Sequence, residues 1–398
     1  MVNNKKNILL LTSLYPCDDI KILNNTSVCH YFAREWVKMG YNVRVVFNYN
    51  LYPAIFYPLL RLFRKKLANV FGISIQDVFI KKPYHYEMDG VIIDRLPIYK
   101  MKPGGRFSDK VISKQFDLIL NLLNKDHFSP DLVLGHFTHP NLELVVKLKE
   151  HYASLGTIAL HGAEPYYSKE DALLFGKVNY VGFRSYPTKW SFEKMYGEKP
   201  FFMCPSGVPE QSITNPRVFT RPVSNFIYVG TFMKRKYPSS LIPAIASVYE
   251  KQDFTITYIG DGNDKEQIVK KAQNYSCIDN INFTGRIPRG EIFQYLDKSD
   301  VFIMISKIET FGLVYLEAMA RGCIVIASKN EGLDGIIENG KNGFLCGAGN
   351  EKELEQIVRH IKGMTMEQLN NLSIESIKTA KKYTDYNVAK DYIESIDN

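Results

Sequence analysis

Two carboxylates bracket a turn in Glu309-Thr-Phe-Gly-Leu-Val-Tyr-Leu-Glu317, with seven residues between them and Gly312 inside the turn. An apolar run over 300–306 precedes this motif and the helical pattern Val314-Tyr-Leu-Glu-Ala-Met-Ala320 follows it. A strand, a polar turn and a helix start are therefore expected in direct succession. The first N–H groups of a helix lack intrahelical acceptors and carry a partial positive charge, so Thr310, Phe311, Gly312 and Leu313 form a seat for a phosphate. Glu309 stands ahead of that seat and Glu317 about one turn into the helix, where carboxylates accept hydrogen bonds from sugar hydroxyls. Phosphate-binding amides flanked by hydroxyl acceptors describe a nucleotide-sugar site. The spacing by itself is weak, because two glutamates eight positions apart arise often on surface helices.

The elements that must position these groups are legible on both sides of them. Thr255-Ile-Thr-Tyr-Ile259 ends in Gly260-Asp-Gly262, a helix is expected over 265–274, and Ile281-Asn-Phe-Thr-Gly285-Arg-Ile287 follows. A helix over 291–298, the strand ahead of Glu309 and Cys323-Ile-Val-Ile-Ala327 complete the series. Each apolar run is short, β-branched and followed by turn residues. Strands alternating with helices of this length imply a parallel sheet, whose ligands bind beyond the C-terminal strand ends. All of the polar punctuation falls at that edge.

From about residue 225 onward the chain resembles the nucleotide-binding half of the retaining glycosyltransferases of family 4, which have the GT-B fold of two Rossmann-like, doubly wound α/β domains facing a central cleft. Five signatures carry the resemblance in the family's order: Val229-Gly230 with Lys236, Gly260-Asp-Gly262, Gly285-Arg-Ile287, the pair Glu309 and Glu317, and Asn342-Gly-Phe-Leu345. The resemblance implies that Glu309 contacts the donor sugar, Glu317 the ribose, and the amides around Gly312 and Leu313 the distal phosphate. The backbone near Arg286 and Ile287 would face the base. Where the family commonly has arginine directly after the strand-ending glycine, this chain has Thr231, while Lys236 keeps the second basic position. Lys234 or Arg235 would then supply the missing cation, since an ammonium or guanidinium stabilises a departing pyrophosphate. A plain solvated charge run is the other reading of Lys234-Arg-Lys236.

Residues 1–210 show a doubly wound pattern of their own, with strands over 8–12, 42–47, 131–134 and 156–160 and helices over 27–39, 110–123 and 142–151. They resemble the acceptor half of the same family more loosely. Asn24-Asn-Thr-Ser27 replaces the Gly-Gly that many members carry, which makes Asn25 and Thr26 acceptor-side candidates. His161 ends an apolar strand in Leu160-His-Gly-Ala-Glu164. The family often has His-Gly-x-Asp there, so His161 is a candidate for the sugar's hydroxyls or the acceptor, and Glu164 is a longer carboxylate beside it. His136 and His139 also follow a strand; acceptor-side lining or packing fits them better than a metal, for want of a Cys or carboxylate pattern. No Asp-x-Asp closes a strand, since Asp18-Asp19 are adjacent and Asp261-Gly-Asn-Asp264 reads as a turn and helix cap. Metal-independent transfer follows, with no resident cofactor and a nucleotide sugar, UDP-linked in this reading, as co-substrate. The resemblance implies retention by front-face attack, in which the leaving phosphate helps to deprotonate the incoming hydroxyl.

A chain of 398 residues exceeds what one core organises. The expected division is an acceptor domain over 1–210 and a nucleotide-sugar domain over 211–384, with a terminal helix over 385–398 packing back on the first. Six scattered cysteines without Cys-x-x-Cys spacing read as reduced, mostly buried thiols, and the short apolar stretch at 8–12 is too brief for a signal peptide, so a cytoplasmic location is expected. Residues 1–210 hold 27 Lys+Arg against 19 Asp+Glu, and the remainder is balanced at 23 against 23, so the whole excess of +8 lies in the acceptor half. Part of it sits in a stretch near 51–71, where Leu59, Leu60, Leu62, Phe63, Leu67, Val70 and Phe71 share one helical face and Arg61, Arg64 and Lys65 the other, with Tyr52, Phe56 and Tyr57 ahead of them. That pattern suits an anionic membrane surface with a lipid-linked or oligosaccharide acceptor, in capsular, exopolysaccharide or cell-wall assembly. A helix packed on the first sheet is the alternative. Nucleic acid is an unsuitable partner, because no helix-turn-helix, RNA-binding aromatic pair or zinc module accompanies the charge.

Overall fold

The computed structural model describes residues 6–20, 26–58, 61–63, 78–101, 106–162, 168–251 and 253–397. The chain divides into two compact units: Met1–Arg184, Ser191–Cys204 and Ala389–Asn398 form the first, and Ser185–Trp190 and Pro205–Val388 the second.

The first unit is built on β1 (Asn7–Thr12), β2 (Asn42–Leu51), β3 (Tyr84–Met88), β4 (Val91–Tyr99), β5 (Leu132–His136), β6 (Leu155–Leu160), β7 (Tyr180–Phe183) and β8 (Phe201–Met203). They assemble in the order β3-β4-β2-β1-β5-β6-β7-β8, and every pairing is parallel except β3 with β4. Strand order reverses between β1 and β5. The central strands are apolar on both faces, as Ile8-Leu-Leu-Leu11 shows with all four residues at 0% exposure, because helices such as Val28–Lys38 and Thr138–Tyr152 cover the sheet. The β3–β4 hairpin was not legible from apolar periodicity, since Asp94 and Arg95 of β4 are buried where apolar residues are usual. Arg44 Nε donates to Asp94 at 2.7 Å, and Arg95 grips both carboxylate oxygens of Asp19 at 2.7 and 2.8 Å. The overlooked signal is Asp89-Gly90, whose φ values of 52° and 76° belong to the two-residue turn that matches strand twist.

The second unit holds β9 (Asn225–Val229), β10 (Thr255–Ile259), β11 (Ile281–Gly285), β12 (Val301–Ile303), β13 (Ile324–Ser328) and β14 (Phe344–Cys346), all parallel, in the order β11-β10-β9-β12-β13-β14. The expected strands and helices of this region are all present, with ends shifted by a few residues. The run over 300–306 is the largest shift: β12 stops at Ile303, although Met304, Ile305 and Ser306 stay buried. Here strand order reverses between β9 and β12.

The C-terminal ends of β9, β10 and β11 are stitched to one another. Gly230 N–H donates to Ile259 O and Gly260 N–H to Gly285 O, both at 2.9 Å, and Phe232 N–H donates to Asp261 O at 3.1 Å. Glycine is required because the backbones nearly touch: a Cβ on Gly260 would lie 2.0 Å from Gly230 O, and one on Gly262 2.2 Å from Phe232 O. Backbone oxygens cannot move aside as a flexible side chain can. Gly260→Ala is therefore expected to destabilise the second unit by about 2 kcal/mol or more, read as a lower urea midpoint with unchanged slope. A variant as stable as the parent would show that the strand ends are less tightly joined than the structure draws them.

Candidate active site

The loops that leave β9 and β12 diverge where the strand order reverses, the place where open α/β sheets bind ligands. After β9 the chain passes Gly230, Thr231 and Phe232 and makes a single 3-10 turn, Lys234–Lys236. After β12 it passes the exposed Lys307 and Ile308 and reaches Glu309. Lys236 Nζ and Glu309 Oε2 meet at 3.0 Å, with their side chains only 16% and 14% exposed. Residues 73 positions apart are thereby joined at the sheet's crevice. Lys236 Nζ also lies 3.9 Å from Met304 Sδ.

The loop carrying Glu309 is clamped from several sides. Lys307 N–H donates to Arg235 O at 2.7 Å, and Arg235 Nη1 donates to Ile308 O at 2.9 Å. Arg235 thus holds the loop, and Lys234 is exposed. Glu309 N–H donates to Glu331 Oε2 and Gly332 N–H to Glu309 O, each at 2.8 Å. Ile308 has φ 57°, a left-handed conformation that costs a β-branched residue on the order of 1–3 kcal/mol and persists only where surroundings enforce it.

Phe311 is buried, and Gly312 caps the helix Leu313–Ala320 at φ 76°. A Cβ there would lie 2.3 Å from the Tyr315 ring, so only glycine lets the chain turn this sharply over that ring. Tyr315 N–H returns to Gly312 O at 2.9 Å, while the amides of Leu313 and Val314 are left without intrahelical acceptors, as at any helix start. The first turn holds no acidic residue to compete for them. Thr310 is half-buried beside these amides, and the carbonyl of Thr231 accepts the Tyr228 O–H at 3.2 Å. Burial, then the nearby Glu309 charge, pushes the Tyr228 phenol upward, so it stays protonated.

Glu317 is buried and accepts from Arg289 Nε. Arg289 opens the helix Arg289–Lys298, two residues beyond Ile287. The sequence reading stopped at Gly285-Arg-Ile287 and missed it, for nothing local ties an arginine at a helix start to a glutamate 28 positions away. Arg286 is exposed and Ile287 half-buried against the core.

In the first unit, β5 ends at His136 and His161 follows β6. His136 Nδ1 and His161 Nε2 are 2.8 Å apart, and His136 Nε2 is 3.2 Å from Tyr392 Oη. Phe137, at φ 64°, lays its ring on His161 at 3.8 Å between centroids and 21° between planes. His136 has 0% exposure, and its ring touches His161 and Tyr392. His139 turns instead to Glu143 at 2.7 Å and Asp171 at 3.3 Å. Burial, followed by Arg184's charge, lowers His136 to about 3 and holds His161 well below the usual imidazole range. Thr26 is half-buried just ahead of the helix Val28–Lys38, its Oγ1 accepting from Val28 N–H at 3.4 Å. Asn25 and Glu164 lie outside the described residues.

Among the described residues one cluster has the composition of a metal centre: Cys29, His136 and His161 place ligand atoms within 4.8 Å of one another. Its chemistry suits a cation poorly. The facing imidazole nitrogens are spent on each other, the thiol of Cys29 is pushed up by burial to about 12, and the buried Arg184 acts on Cys29 and both rings as a positive charge. Asp19, the other early carboxylate, is held by Arg95.

Residues 221–378 match the family model "Glycosyl transferases group 1". The N-acetyl-α-D-glucosaminyl L-malate synthase of Bacillus anthracis is 31% identical over 123 residues, 31% of this chain and 32% of that protein. The α-monoglucosyldiacylglycerol synthase of Acholeplasma laidlawii is 28% identical over 232 residues, 53% of this chain and 58% of that protein. The chain thus spans between about a third and three-fifths of the length of these curated relatives. Anabaena HepE, solved in complex with UDP, superposes with a TM-score of 0.68 at 16% identity, over 98% of this chain and 99% of that one. Residues 221–378 are thus similar to the group 1 glycosyl transferases, within a chain that has the GT-B fold.

Proposed function

We propose that this protein is a retaining, metal-independent hexosyltransferase that moves a sugar from a nucleotide-diphosphate donor, UDP-linked in our reading, to a lipid-linked or growing glycan acceptor. The observation that carries it is the Lys236–Glu309 pair beside the open amides of Leu313 and Val314. A diphosphate needs cationic and amide donors, and a sugar needs a carboxylate; here they stand at one crevice. Lys236 and the helix-start amides take the charge that develops on the leaving phosphate, the term that a divalent ion supplies in other transferases. Glu309 is then released toward the sugar hydroxyls. Arg289 occupies Glu317 Oε1 and leaves Oε2 to accept from the ribose. Arg286 and Ile287 line the approach to the base, and Arg235 serves by holding the Glu309 loop. His161 is the group assigned to hydroxyls of the sugar or acceptor.

Two relatives bear on the acceptor, since one is named for a diacylglycerol product and the other for a malate product. We favour the lipid-linked acceptor, and a setting in surface polysaccharide assembly with the protein peripheral on the inner face of the cell membrane. The excess positive charge of residues 1–210 supports it, as do Ile55 and Leu62 at 80% and 76% exposure and Phe56 and Phe63 beside them at 38% and 42%. Tyr57 takes no part, being buried against Phe79. Leu59, Leu60, Arg64, Lys65, Leu67, Val70 and Phe71 lie outside the described residues. No helix among the described residues is long and apolar enough to cross a membrane.

Incubation with UDP-hexoses and lipid extract, followed by UDP release, tests the chemistry. Lys236→Ala and Glu309→Gln are each expected to lower turnover by about a hundredfold or more, the scale of losing one oxyanion-stabilising group. Turnover is expected to persist in EDTA, and proton NMR of the product to show the donor's anomeric configuration. Full activity in Lys236→Ala removes the diphosphate assignment. Sedimentation with anionic liposomes tests the surface: neutralising Arg61, Arg64 and Lys65 together is expected to weaken binding and to flatten its dependence on salt. A parent protein that stays in the supernatant points to a soluble acceptor.

A further inference from the structure

The loop that leaves β13 closes on the one that leaves β12, its neighbour in the sheet. Glu331 sits in it, half-buried, and its Oε2 accepts from Glu309 N–H while Gly332 N–H returns to Glu309 O, each at 2.8 Å. Asp334 N–H donates to Glu331 O at 2.8 Å and Leu333 is fully buried, so the loop's own backbone is fixed where it meets Glu309. The Glu309 side chain runs between two glycines: a Cβ on Gly312 would lie 3.3 Å from its Cγ, and one on Gly332 3.4 Å. The carboxylate of Glu331 is thereby held within one side-chain length of that of Glu309.

Each of these carboxylates has one oxygen spent and one open. Glu309 Oε2 pairs with Lys236, and Glu331 Oε2 with a backbone amide. Glu309 Oε1 and Glu331 Oε1 are not buried and have no hydrogen-bond or ion-pair partner among the described residues. Two neighbouring cations are committed elsewhere: Arg235 Nη1 donates to Ile308 O at 2.9 Å, and Lys329 pairs with Glu353. Lys236 is the cation that a diphosphate would draw away. An ionised carboxylate only accepts hydrogen bonds, so two open oxygens on adjoining loops suit O–H donors and oppose a further negative charge.

We infer that Glu331 is a specificity-determining residue of the donor site: with Glu309 it presents carboxylate oxygens to the transferred sugar, so that the site takes a neutral hexose through its hydroxyls and rejects a uronic acid. The inference rests on the functional reading above, which brings the donor sugar to Glu309, and adds which class of sugar that end accepts. A hydroxyl that meets Glu331 gains a charge-assisted hydrogen bond, whereas a sugar carboxylate in its place meets a like charge. Selection then works by repulsion as well as by attraction. The same side chain fixes the Glu309 loop through its other oxygen, so one residue shapes the pocket and screens what enters it.

Isothermal titration of the full chain with UDP, UDP-glucose, UDP-galactose, UDP-glucuronate and UDP-galacturonate reads donor choice without any acceptor. At least one UDP-hexose is expected to bind about tenfold or more tightly than its own uronic acid. Glu331→Gln keeps an amide oxygen for Glu309 N–H and removes the charge; it is expected to bring that ratio within about threefold, chiefly by tighter binding of the uronic acid. UDP, which lacks the sugar, should bind parent and Glu331→Gln within about twofold, with the urea midpoint unchanged. Glu331→Ala also loses the tie to Glu309 N–H and is expected to lower that midpoint, which separates a loss of folding from a change of preference. A parent that binds uronic acids as tightly as hexoses, or a folded Glu331→Gln with the parent's preference, overturns the inference and leaves the functional reading in place. A parent that binds none of these nucleotides removes the functional reading and the inference with it.

Discussion

A lysine and a glutamate that have both lost most of their hydration have to find each other, and in the second unit they do so at the one place where a parallel sheet opens a crevice. Neither Lys236 nor Glu309 is stable alone at 16% and 14% exposure, because an isolated charge in a partly dry site is expensive. Their pairing ties the loop after β9 to the loop after β12 across the reversal of strand order. It also keeps in one place a cation suited to phosphate and an anion suited to hydroxyls. In the function proposed above, an arriving diphosphate would offer Lys236 a partner of higher charge, and the contact that shapes the crevice would be the one exchanged.

Backbone strain collects around the same loops. Ile308 has a φ of 57° directly ahead of Glu309, and Phe137 has one of 64°, with its ring stacked on His161. Such conformations survive only where neighbouring groups enforce them. Arg235 donating to Ile308 O and His161 lying against Phe137 are the enforcing contacts. The cost is met by the packing of the rest of each unit, where Phe302, Val325 and Ile326 on one sheet and Leu9, Val133 and Ile158 on the other are fully buried.

The first unit handles its polar interior differently. Arg184 is buried and donates to Cys204 O at 2.9 Å, and burial first, then its charge, keeps His136 and His161 below the usual imidazole range. Arg44, Asp94, Arg95 and Asp19 are paired in the same unit. These buried charges are paired with one another, and the His136–His161 pair stands at the C-terminal side of the sheet.

Composition and periodicity by themselves determined the alternation of strand and helix and the two-sheet α/β architecture, because runs such as Thr255-Ile-Thr-Tyr-Ile259 and Ile324-Val-Ile-Ala-Ser328 state their burial locally. The glycines at 260, 262 and 312 were legible too, since a turn that admits no Cβ leaves its mark on a single residue. The partner of each side chain was not. Arg289 on Glu317, Arg235 on the Ile308 carbonyl and Tyr392 behind His136 join residues 28, 73 and 256 positions apart, and no local pattern encodes such a distance. The Asp89-Gly90 turn shows the converse, a local signal that was present but masked by charged strands whose ions are neutralised only across the sheet. Local chemistry decides what a segment becomes; which charge meets which depends on strand order and packing that exist only once the chain has folded.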